Sequence, residues 1–139
     1  MHLMKLFLFS IVFASFISSA ANDNYSQIDE LCRKNNPDIN NSVVMGCADS
    51  ASDDAKKSIN ESYKQIIRLI KSRYENDPDT ANNELTRFEL AQKSWLAYRE
   101  NWCDSQGFLI GSPMYSICRM DENIARADAL SDYFEHLTQ

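Results

Sequence analysis

The sequence predicts an all-α protein: a long antiparallel helical hairpin with a short N-terminal helix and a C-terminal helix, stapled by two disulfides. Three observations lead there. Apolar residues recur at spacings of three and four through two long segments that are separated by a single proline-containing turn. Three glycines and three prolines are too few for the many turns of an all-β chain of 139 residues. Four cysteines, an even number, all stand beyond the first thirty residues.

The chain opens as an export signal. Lys5 is the only charge in Met1 to Ala20, an apolar stretch follows from Leu6, and Ser18-Ser19-Ala20-Ala21 supplies the small residues a signal peptidase accepts. Leu6 to Ile17 falls short of the ~20 apolar residues of a spanning helix, so cleavage is expected after Ala20 or Ala21, leaving no membrane segment. The expected organisation is a signal peptide over 1–20 and one helical domain over 21–139, a length typical of a single core. Loss of Lys5 would move the formal charge from −6 to −7.

An oxidising destination changes the reading of Cys32, Cys47, Cys103 and Cys118 from metal ligands to disulfides. No Cys-x-x-Cys occurs and His136 is the only histidine after the signal, so neither a metal nor another cofactor is expected. Three pairings are open to four cysteines. The expected one joins Cys32 to Cys47 and Cys103 to Cys118, because each pair encloses a Gly- or Pro-containing loop and closes locally. Each bridge would contribute about 3 kcal/mol on the chain-entropy estimate.

The lead segment, Tyr25 to Lys34, predicts a short helix packed through Ile28 and Leu31. The first long helix runs from about Val43 to Asn76 on the stripe Ala48, Ala51, Ala55, Ile59, Tyr63, Ile66, Ile70 and Tyr74, with Gly46 moving its start toward Ala48. Pro78 disfavours helix at Asp77, and Asp79 or Thr80 is expected to cap the next helix, about Thr80 to Ser105. Its stripe is Leu85, Phe88, Ala91, Trp95, Tyr98 and Trp102, whose aromatics are expected in the core, zipped against the first long helix. Ile124, Ala127, Leu130, Phe134 and Leu137 mark the last helix.

Enzymatic chemistry is not expected. His136 stands three residues from the C-terminus, and the pairs Asp29/Glu30, Asp53/Asp54 and Asp121/Glu122 are adjacent on helices, so each pair diverges into solvent. There is no phosphate-binding glycine loop, and an acidic chain is unsuited to nucleic acid. Asn-x-Ser patterns at Asn24, Asn40 and Asn60 are read as chance in an asparagine-rich chain.

The densest run is Gln92-x-x-Trp95-x-x-Tyr98-Arg99-x-x-x-Cys103. With Cys47 before the first long helix, Ile59-Asn60-x-x-Tyr63 within it, and Cys118 followed by Ala125-Arg126-Ala127-x-x-Leu130, it resembles the LprI-like N-terminal domain family over about Cys32 to Tyr133. That family comprises exported bacterial proteins whose named member group is lysozyme inhibitors. The resemblance implies a helical, disulfide-bonded, periplasmic or secreted binding protein with a protein partner of the lysozyme type. The chain departs from the LprI type in having no lipid-attachment cysteine at its expected cleavage site, so no surface anchor is expected. By their chemistry the motif residues Asn60, Tyr63, Gln92, Trp95, Tyr98 and Arg99 read as architecture: Trp95 and Tyr98 fill the helix seam, and Gln92 and Arg99 bridge to Asn60 or to helix-end carbonyls.

A contact surface is expected instead in a loop from Gly107 to Ile117, braced by the Cys103–Cys118 bridge. Phe108, Met114 and Tyr115 are its candidate anchors and Ser112 its polar contact, while Leu109 and Ile110 are expected to fold back over the end of the bundle. The alternative function is a periplasmic structural or envelope-stress interaction protein without inhibitory activity.

Overall fold

A computed structural model describes residues 20–139; the expected signal peptide lies outside them except for Ala20 and Ala21 at its cleavage site. Four helices follow in order, α1 (Ala20–Lys34), α2 (Asn41–Arg73), α3 (Pro78–Ile110) and α4 (Pro113–Thr138), with no strand among the described residues. Both expected bridges are present, Cys32–Cys47 and Cys103–Cys118, with Cα separations of 5.5 and 5.4 Å.

The start of α2 is earlier than its glycine suggested. Asn40 caps it, its side-chain oxygen accepting from the Ser42 and Val43 backbone N–H groups at 2.9 and 3.1 Å. The helix therefore begins at Asn41, and Cys47 lies within it. A cap is worth about 1 kcal/mol, which offsets the comparable cost of Gly46 in the first turns, and the bond to Cys32 pins the same stretch. The turn after α2 is corrected by one residue pair: Asp77, not Asp79 or Thr80, caps α3, accepting from Thr80 N at 3.2 Å. Pro78 both disfavours helix before itself and supplies the φ that the first helical position needs.

The α2 stripe is buried as expected at Ala48, Ala51, Ala55, Ile59, Ile66 and Ile70. Its partner is different. α2 packs chiefly against α4, which buries Met120, Ile124, Ala127 and Leu130, while α3 lies on α4 and touches α2 little. Ser52 meets Asn123 and Arg73 meets Leu137, so α2 and α4 run parallel, with α3 antiparallel to both. The physical reason is side-chain size. The alanines of α2 let another helix approach closely and accept branched side chains, whereas the α3 stripe is aromatic and interrupted by Gln92 and Arg99. Of the expected α3 core, Leu85, Phe88 and Trp95 are partly buried, but Tyr98 and Trp102 are 53% and 46% exposed and stack on each other at 6.5 Å.

α1 docks through Tyr25 and Ile28, with the Tyr25 hydroxyl hydrogen-bonded to that of Ser58 on α2. Leu31 is exposed instead, because the helix turns its other face inward. Asp29 is buried rather than solvated, and Arg33 one turn later donates to it at 3.0 Å. Asp53 and Asp54 do lie on the outer side of α2, paired with Lys56 and Lys57.

Candidate functional site

Two regions concentrate the residues singled out by the sequence: the polar seam between α3 and α4, and the corner where the two helices meet.

Gln92, Trp95 and Arg99 stand at i, i+3 and i+7 of α3 and so share one face, which is laid against Arg119, Asn123 and Arg126 of α4. Gln92 Oε1 accepts from Arg126 Nε and Nη2 at 2.9 and 2.8 Å. Two guanidinium groups lie over the Trp95 ring, Arg99 at 5.2 Å and Arg126 at 5.5 Å from its centroid. Arg99 Nη1 donates to Asn123 Oδ1 at 2.6 Å, and Asn123 Nδ2 donates to Ser52 Oγ at 2.6 Å, so one buried amide ties three helices together.

Farther toward the corner, Glu100 accepts from Arg99 on one oxygen and from Arg119 on the other, at 2.8 Å from Nη2. Arg119 also reaches Asp104 at 2.7 Å and the Tyr115 carbonyl at 3.2 Å. The Arg119 hydrogen bonds hold the Glu100 carboxyl below the usual carboxylate range, against a smaller opposing effect of burial, and the same bonds raise Arg119. Pairing of these polar groups across the seam favours one register of α3 on α4.

This corrects the expected bridging. Gln92 and Arg99 reach Arg126 and Asn123, not Asn60, which lies exposed on α2. Tyr63 stacks on Phe88 at 5.1 Å, and burial, followed by Glu89, raises its phenol. Trp95 is in the seam, whereas Tyr98 is outside it. Ser52, Glu100, Arg119 and Asn123 escaped the sequence reading. Their signal was the spacing of Arg119, Asn123 and Arg126 by four and three, which puts three polar groups on one α4 face opposite Gln92 and Arg99.

The corner also differs from the expected loop. α3 continues to Ile110, Gly111 and Ser112 make the whole connection, and Pro113 opens α4. Gly111 has φ +147°, which glycine adopts without the steric cost of a side chain. Gly107 is helical and buried, and a Cβ there would collide with the ring of Tyr115. Close packing of Gly107 on Tyr115, together with the Cys103–Cys118 bond, replaces a braced loop with a braced helical corner.

The candidates separate accordingly. Phe108 is 82% exposed and Ser112, four residues later, is exposed; Met114 is half-buried, and Tyr115 is half-buried against Gly107. Leu109 and Ile110 do not fold back but stand 75% and 69% exposed. Three consecutive apolar side chains at the end of a helix point in different directions around its last turn, none toward the core. His136 is exposed and bonds only the Asp132 carbonyl one turn earlier, at 2.7 Å. Among the described residues no group of three or more His, Cys, Asp or Glu side chains is placed to hold a metal, and no helix is long and apolar enough to cross a membrane.

No curated protein and no solved structure matches the chain. The model of the lysozyme inhibitor LprI family matches residues 32–130, a span that contains both disulfides, the α3–α4 seam and the corner, and the chain belongs to that family.

Proposed function

We propose that the protein is an exported inhibitor of a lysozyme-type cell-wall hydrolase and that it presents the α3–α4 corner to the enzyme. Family membership supports a protein-binding role, and two disulfides suit an extracytoplasmic compartment. The observation that carries the choice of surface is the exposure of Phe108, Leu109 and Ile110 on a corner that cannot easily move. Large apolar side chains left uncovered at one corner are available to a partner, and an anchor held rigidly loses little entropy on binding. Phe108, the most exposed of them, is the anchor; Leu109 and Ile110 flank it, and Ser112 offers a hydroxyl at the rim. Met114 and Tyr115 support the corner from beneath.

Charge works in the same direction. A formal charge of −7 after loss of the signal favours encounter with a basic enzyme, and this part of the effect weakens with salt. The test is cell-wall hydrolysis by lysozymes of several classes with the purified, oxidised protein present. Dose-dependent inhibition of at least one class is expected. Unaffected hydrolysis by every class would remove the reading in favour of an envelope-interaction role, in which a component pulled down from envelope extract would depend on Phe108.

A further inference from the structure

At the opposite end of α3 from the corner, α2, α3 and α4 enclose a groove of about 400 Å³. Its apolar lining includes Ile70, Phe88, Leu130 and Leu137, and Arg73 and Arg126 lie among them. The volume is in the range of small-molecule sites, about 300–1,000 Å³. The remaining charges of the lining, Glu84 and Arg87, pair with each other at 2.7 Å.

The two arginines are the unusual feature. Arg33, Arg87, Arg99 and Arg119 each form an ion pair, whereas Arg73 and Arg126 form none among the described residues. Arg68, which also lacks one, does not line the groove. Arg126 is half-buried with only the neutral Gln92 and the Trp95 ring as partners, and burial lowers its proton affinity without an acidic neighbour to offset it. Arg73 donates only to the Leu137 carbonyl. In an acidic chain, the half-buried Arg126 leaves positive charge on the groove without a carboxylate where desolvation makes it costly, and the exposed Arg73 adds a second guanidinium without a carboxylate at the rim.

We infer that this groove binds a single-chain carboxylate, its acyl tail on Ile70, Phe88, Leu130 and Leu137 and its carboxylate on Arg126 and Arg73. Guanidinium groups match a carboxylate in geometry as well as charge. The site is separate from the corner and does not depend on lysozyme inhibition.

Isothermal titration of the oxidised protein with decanoate, below its micelle concentration, tests the assignment against three controls: acetate, 1-decanol and decyltrimethylammonium. Saturable binding of one decanoate per chain is expected, at least tenfold tighter than any control. Arg73→Gln and Arg126→Gln should each weaken it tenfold or more, and Arg68→Gln less than twofold. Because Arg126 also holds Gln92, Arg73→Gln decides the matter if Arg126→Gln unfolds. Absence of saturable decanoate binding, equal binding of 1-decanol, or unchanged affinity in Arg73→Gln would overturn the assignment.

Discussion

Asn123→Ala removes the amide that joins α2, α3 and α4, and its cost can be worked from the contacts. Asn123 accepts from the charged Arg99 at 2.6 Å and donates to the neutral Ser52 hydroxyl at 2.6 Å. A hydrogen bond to a charged group contributes about 1.5–3 kcal/mol and a neutral one about 0.5–1.5. Arg99 keeps Glu100 and the Trp95 face, so its guanidinium is not orphaned, which places the first figure toward its lower end. Ser52 is buried and loses its partner outright. The expected loss is about 2–4 kcal/mol, measured as the shift in urea midpoint of the oxidised protein at unchanged m-value. Ser52→Ala alone should cost about 1 kcal/mol, and the double-mutant cycle should return a coupling of at least about 0.5 kcal/mol. A loss below about 1 kcal/mol for Asn123→Ala, or strict additivity with Ser52→Ala, would refute the view that this amide ties the three helices.

Gly107→Ala should destabilise by about 1–3 kcal/mol in the same assay, because the new Cβ meets the body of the Tyr115 ring rather than a flexible end. Replacing Cys103 and Cys118 together by serine should cost about 3 kcal/mol, read from thermal or urea unfolding; loss of less than about 1 kcal/mol would mean that the corner is held by packing alone. The Glu100 carboxyl sits below its ordinary value in the fold, chiefly through the Arg119 hydrogen bonds, so the unfolded chain takes up its proton first as pH falls. Its contribution is complete above the ordinary glutamate range, about pH 4.3, and is lost as pH falls below that toward the folded value. The wild-type advantage in melting temperature over Glu100→Gln should therefore shrink on acidification through that window, and a difference independent of pH would contradict the assignment.

The elements that were legible in the sequence are those set by local rules. The α2 stripe follows from a spacing of three and four, the disulfides from proximity in the chain, and the Pro78 turn from proline's fixed φ. Which helix covers α2 was not legible, because the α3 and α4 stripes both have the right period; the outcome turned on the fit of α4 against small alanines and on the polar groups in α3. Gly107 misled the reading of the corner because glycine marks a turn and equally marks a close approach inside a helix. Its role depends on Tyr115, eight residues later, and such a contact has no local signature. Of the motif residues, the place of Trp95 in a helix seam was legible, but the partners of Gln92 and Arg99 on α4 required knowing that α3 lies there, and Asn60 and Tyr98 are exposed. Phe108 was readable as a surface candidate, whereas the exposure of Leu109 and Ile110 follows from the unexpected continuation of α3 to Ile110.

The most direct test of the proposed function compares inhibition by the oxidised wild type with that of Phe108→Asp against a lysozyme the wild type inhibits. Phe108 is 82% exposed, so the substitution should leave the unfolding midpoint within about 0.5 kcal/mol of wild type. Loss of inhibition by tenfold or more is expected for Phe108→Asp. Full inhibition retained by a folded Phe108→Asp protein would contradict the claim that the α3–α4 corner is the surface that acts.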